Sequence, residues 1–182
     1  MYKKFADWIR CMAYAAVCLA LCLALPFLTG QIPEVGSMLT PMHLPVLLAG
    51  FLCGPWWGAV VGAIAPVYRY FLFGMPPIFP TGFAMCFELA TYGLVSGWLY
   101  RHLPEKRGFI YAALITALLA GRIVWGLVMM MVAAGGAAEF TWEVFLSGAV
   151  LNALPGIVLQ LVLIPVLVMA LRKAGVPIWN AK

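Results

Sequence analysis

The sequence predicts an all-α integral membrane protein: one compact bundle of six transmembrane helices over residues 1–182, with both termini cytoplasmic. Three observations carry that expectation. Hydrophobic residues make up 65% of the chain and charged residues 9%, with a mean hydropathy of +1.04, a balance that would aggregate in water. Apolar segments follow one another with short turns between them, and the length holds about six spans of roughly 20 residues with no room for a soluble domain. Lys and Arg gather in alternate loops, all on one face if the chain crosses six times.

The first apolar segment, Cys11 to Leu28, follows the basic residues Lys3, Lys4 and Arg10. A cleaved signal peptide has the same order of features, but its apolar stretch is about 7 to 15 residues, so an uncleaved helix is expected here. Ala16, Ala20 and Ala24 form a smooth stripe along it, with Cys18 and Cys22 roughly opposite. Such stripes let another helix approach closely, ordinarily within the same bundle. The second segment, Leu44 to Cys53, is short; it reads as a helix entered past Pro41 and Pro45 and ended by a Gly54-Pro55 turn, with a re-entrant segment as the alternative. The third runs from Trp57 to Phe73, and Gly54, Gly58 and Gly62 make a second small-residue stripe on it. Phe79 to Leu99, Phe109 to Ala134 and Val144 to Leu171 complete the set.

Arg101, Lys106 and Arg107 after the fourth span, and Arg172, Lys173 and Lys182 after the sixth, join the N-terminal cluster on the cytoplasmic side. The opposite loops, Thr29 to His43, Gly74 to Pro80 and Gly135 to Glu143, contain no Lys or Arg and carry Glu34, Glu139 and Glu143. The net charge of +5 is thereby a topology signal, and nucleic acid is not needed to explain it. A multi-pass protein of a prokaryotic cytoplasmic membrane is expected, with the lipid bilayer as its first partner.

Arg69, Glu88 and Arg122 lie inside apolar spans. An ionisable group at membrane depth costs about 2.5 to 3.5 kcal/mol on insertion scales and normally faces a protein interior or a polar cavity. At 1.5 Å per residue, Arg69 lies about 18 Å from the cytoplasmic face of a ~30 Å core; Glu88 and Asn152 lie roughly 12 to 14 Å below the outer face, with Arg122 near mid-span. Four helices thus bring a polar group to the outer half or midplane, as a cavity open to the exterior requires. Two arginines against one glutamate leave positive charge for an anionic substrate group. The structural alternatives are a Glu88–Arg122 pair, an Arg69 that snorkels outward and an Asn152 that bonds a neighbouring helix. Tyr92 follows Glu88 at i+4 and Trp125 follows Arg122 at i+3, so each shares a helix face with a charge.

Catalysis finds no support: HExxH, GxSxG and GxxxxGK[ST] are absent from the sequence. The five cysteines sit in or beside apolar spans and make no zinc-type pattern with His43 or His102, so no metal or cofactor is expected. The chain reads as a non-enzyme that would rely on partners for any ATP-driven work.

Met42-His43-Leu44-Pro45-Val46, Ala49-Gly50-Phe51, Gly54-Pro55-Trp56-Trp57-Gly58, Ala65-Pro66, Phe73-Gly74-Met75-Pro76-Pro77, Phe79-Pro80-Thr81, and Phe87-Glu88-Leu89-Ala90-Thr91-Tyr92-Gly93-Leu94 follow one another in the middle of the chain. With Ala120-Gly121-Arg122 and Asn152-Ala153-Leu154-Pro155-Gly156, this series resembles the substrate-binding S component of energy-coupling factor (ECF) vitamin transporters, closest to the pantothenate type. The resemblance implies capture of a water-soluble vitamin at the outer side and delivery through a transmembrane coupling protein and two cytoplasmic ATPases. It implies that Ala16, Ala20 and Ala24 are the docking surface for the coupling protein. It implies that Thr29 to Met42 is a lid, and that His43, Arg69, Glu88, Tyr92, Arg122, Trp125 and Asn152 are candidate substrate contacts. Pantothenate would place its carboxylate on Arg69 or Arg122. Riboflavin, folate or a pyridine vitamin are the rival ligands. A self-sufficient ion-coupled carrier, its buried charges a proton relay, and a purely structural membrane subunit are the rival classes; no inverted repeat is evident for the carrier.

Overall fold

Glycine and proline between apolar runs set the helix limits. In the computed structural model, residues 2–28, 38–104, 106–136, 141 and 153–176 are described. Their regular structure is helical: α1 Tyr2–Leu28, α2 His43–Cys53, α3 Pro55–Phe73, α4 Phe83–His102, α5 Arg107–Ala134 and α6 Leu154–Lys173. The Gly54-Pro55 turn forms as expected: Gly54 takes φ 86°, a left-handed value that only glycine adopts without penalty, and Pro55 opens α3. Gly74, at φ 70°, ends α3 in the same way. A wide helical turn, Ile78–Gly82, leads into α4 and is interrupted by an extended Phe79.

The second segment is a regular helix and the centre of the fold. Every residue of α2 except Leu48 is buried, because it is apolar on all sides and α1, α3, α4 and α6 pack around it. Eleven residues make about 16 Å of helix, well short of a ~30 Å hydrocarbon core, so its place is inside the protein. Four other stretches are long and apolar enough to cross a membrane: Phe5–Phe27, Ile78–His102, Arg107–Ala134 and Leu154–Lys173. These agree with the expected first, fourth, fifth and sixth spans, although the first helix begins earlier, at Tyr2, and the part of the sixth before Ala153 lies outside the described residues.

Two kinds of contact fix the order of helices. α1 and α3 run parallel, joined by Trp8 against Trp57 at one end (centroids 5.7 Å apart) and Phe27 against Phe73 at the other (5.1 Å). α3 and α4 run antiparallel and meet backbone to backbone. A Cβ on Gly58 would come within 2.7 Å of the Gly93 carbonyl oxygen, and one on Gly93 would overlap the Gly58 backbone. The Gly58–Gly62 stripe therefore packs internally. The alanine stripe does not: Ala16, Ala20 and Ala24 are exposed, while Cys11, Ala15, Cys18 and Cys22 turn toward the bundle. α5 lies against α4 and α6, meeting α4 where Gly121 abuts Tyr92.

Candidate functional site

At the N-terminal end of α2, a carboxylate is flanked by polar side chains from three helices. Glu88, in the second turn of α4, is 1% exposed. Its Oε1 accepts a hydrogen bond from the Tyr92 hydroxyl at 2.8 Å, one helical turn on. The same oxygen lies 3.0 Å from Arg122 NH1 on α5 and 3.6 Å from His43 Nε2 at the start of α2. The positive, N-terminal end of the α2 dipole lies beside the same carboxylate, at His43.

The surrounding side chains are fixed by packing. Tyr92 is fully buried; its ring fills the space a side chain at Gly121 would occupy and meets the His43 ring at a centroid distance of 5.4 Å. Gly121 is what lets α5 come close enough for Arg122 to reach Glu88. His43 is 3% exposed, yet neither ring nitrogen has a hydrogen-bond partner among the described residues, and Arg122 Nε is likewise buried and unpartnered. A buried polar atom left unsatisfied costs about 1–3 kcal/mol, so three such atoms around one carboxylate mark a place where an added polar group would be stabilised.

The predicted residues divide accordingly. His43, Glu88, Tyr92 and Arg122 come together. The structural alternative of a Glu88–Arg122 pair is present in the geometry: Arg122 NH1 is matched by Glu88. The Tyr92 ring packs against Gly121 and His43. Arg69 stands apart. It is 7% exposed, makes no ion pair among the described residues, and leaves NH1 buried and unpartnered while its guanidinium lies 5.7 Å from the Phe73 ring on its own helix. Two turns beyond Gly62, which abuts Leu89, it lies toward the C-terminal end of α3. Trp125 is half-buried on α5 beyond Arg122. Asn152 and the lid residues 29–37 lie outside the described residues.

Two polar residues near this site escaped the sequence reading. Gln160, on α6, is 1% exposed, and its Nε2 donates to Thr40 Oγ1 at 2.8 Å. A lone amide in an otherwise apolar span was the available signal, of the same kind that drew attention to Asn152.

A protein-family model described as "ECF transporter, substrate-specific component" matches residues 10–168. Among curated proteins, the sensor histidine kinase YpdA of Escherichia coli (strain K12) is 31% identical over 78 residues, which are 42% of this chain and 13% of that protein. No solved structure matches the chain.

Proposed function

The chain belongs to the family of ECF transporter substrate-specific components, and from that premise we propose that the cluster of His43, Glu88 and Arg122 captures a small anionic vitamin, pantothenate first among the candidates. Membership makes the chain a multi-pass membrane protein and the substrate-specific subunit of an ECF importer. It is a transporter subunit, not an enzyme, and it works with the coupling and ATPase modules of that importer. The kinase similarity concerns 13% of YpdA and brings no activity with it.

The observation that carries the reading is the set of unpartnered polar atoms around a buried, already neutralised carboxylate. Glu88 and Arg122 together carry no net charge, so the site is built to exchange hydrogen bonds with hydroxyl and amide groups. His43 offers a donor and an acceptor, and Arg122 Nε a donor. Arg69, the buried cation outside the pair, is the proposed partner for a ligand carboxylate. Pantothenate has this pattern of one carboxylate, two hydroxyls and an amide. Tyr92 serves by holding Glu88, and Trp125 remains a proposed ligand contact.

The proposal includes six spans with both termini cytoplasmic, from the charge segregation of the loops, with α2 leading inward and α3 outward again past the Gly54-Pro55 turn. The exposed Ala16, Ala20 and Ala24 make the face of α1 on which a transmembrane coupling protein docks, with two cytoplasmic ATPases beyond it.

Thermal unfolding of the detergent-purified chain against a panel of vitamins tests the substrate. Pantothenate at 100 times its dissociation constant adds about 2.7 kcal/mol to the folded state and raises the midpoint. A shift with riboflavin and none with pantothenate reassigns the ligand, and no shift with any vitamin removes the capture reading.

A further inference from the structure

Thr40 and Gln160 form a joint between the end of the first outer loop and α6. Thr40 has φ 44°, in the left-handed region that a β-branched residue rarely enters. Its hydroxyl accepts from Gln160 Nε2 at 2.8 Å, and its carbonyl accepts from the His43 amide at 3.0 Å. One turn before Gln160, Gly156 brings the α6 backbone against the same segment: a Cβ there would overlap Thr40 Oγ1 and come within 2.8 Å of the Met38 carbonyl oxygen and 2.9 Å of the Leu39 oxygen. Gln160 Oε1 is buried with no partner among the described residues.

We propose that Gln160 is a positioning residue: by clasping Thr40 it holds residues 38–42 on α6 and so sets the start of α2, and His43 with it, in register with Glu88. The inference rests on the reading of the His43–Glu88–Arg122 cluster as the ligand site. Its physical logic is a balance at one joint. The left-handed Thr40 and the unpartnered Gln160 oxygen oppose closure, while one buried hydrogen bond and the close fit at Gly156 favour it. Loss of the clasp reaches His43 through the backbone turn that it shares with Thr40.

Hydrogen–deuterium exchange of the full chain in lipid nanodiscs, without ligand, tests this directly. Gln160→Leu and Thr40→Val each remove the bond while keeping bulk. Both should speed exchange of the 38–46 amides about five- to tenfold, the ratio that loss of one hydrogen bond predicts, with α4 amides unchanged. Thr40→Ser keeps the hydroxyl and should exchange as the unmodified protein does. Once a ligand is known, its dissociation should quicken by a similar factor in the first two variants and stay unchanged in Thr40→Ser. Exchange at the unmodified rate in both Gln160→Leu and Thr40→Val, or equally fast exchange in Thr40→Ser, overturns the clasp. Faster exchange in a protein that binds no vitamin keeps the clasp and rejects the ligand site.

Discussion

Neutralising Glu88 while leaving Arg122 in place should be among the most damaging single changes in the chain. At the 3.0 Å separation of Glu88 Oε1 and Arg122 NH1, Coulomb attraction is about 5 kcal/mol with an effective dielectric constant of ~20. Most of that is offset by the cost of taking both ions out of water, so the intact pair adds little net stability. Glu88→Gln exposes the uncompensated part: Arg122 is left with a buried charge, and the change should cost about 3–5 kcal/mol. Arg122→Met strands the carboxylate and should cost a similar amount. The double variant removes both charges and should be no worse than either single one, so the two single costs overlap by at least about 3–5 kcal/mol. Denaturant unfolding of the four proteins in one mild detergent, read by tryptophan fluorescence, measures this cycle. Two small, additive effects would show that the pair is not buried as described and would undo the electrostatic account of the site.

Arg69→Met should leave the ligand-free unfolding midpoint unchanged or raised, because it removes a buried cation without a counter-charge; calorimetric titration should show weaker binding of a carboxylate vitamin by tenfold or more. Tyr92→Phe should cost about 1.5–3 kcal/mol of stability, the value of a hydrogen bond to a charged group, in the same unfolding assay. Gly93→Ala pushes a methyl into the Gly58 backbone and should cost at least about 1–3 kcal/mol, seen as a lowered midpoint or loss of monodisperse protein on size exclusion. Ala20→Phe lies on the exposed stripe and should spare vitamin binding while abolishing uptake by vesicles carrying the coupling protein and ATPases.

Much of the architecture was legible in the residues because membrane sequence carries strong signals. Gly54-Pro55 marked the turn between α2 and α3, and four apolar runs of spanning length recur as α1, α4, α5 and α6. Glu88 and Arg122 stood out as charges at matching depth, and they are paired. The central position of α2 was not legible: an all-apolar helix reads the same whether lipid or protein surrounds it, and only its shortness hinted at burial. Depth from helical rise gives a height and no direction around the bundle. That is why Arg69, at a depth close to that of Glu88, was grouped with a cluster it does not touch. The i+4 spacing correctly tied Tyr92 to Glu88, yet the use of its ring against Gly121 depends on how closely α4 and α5 approach, which no local pattern encodes. Gln160 needed a partner in a distant loop before its role could be seen.

The central claim is that the unpartnered groups beside Glu88 receive a vitamin, and His43→Ala tests it most directly. Calorimetric titration in nanodiscs should give one-to-one binding of a carboxylate vitamin by the unmodified chain, weakened about tenfold or more in His43→Ala, with ligand-free stability little changed. Equal affinity in the two proteins would place the ligand elsewhere and contradict the account.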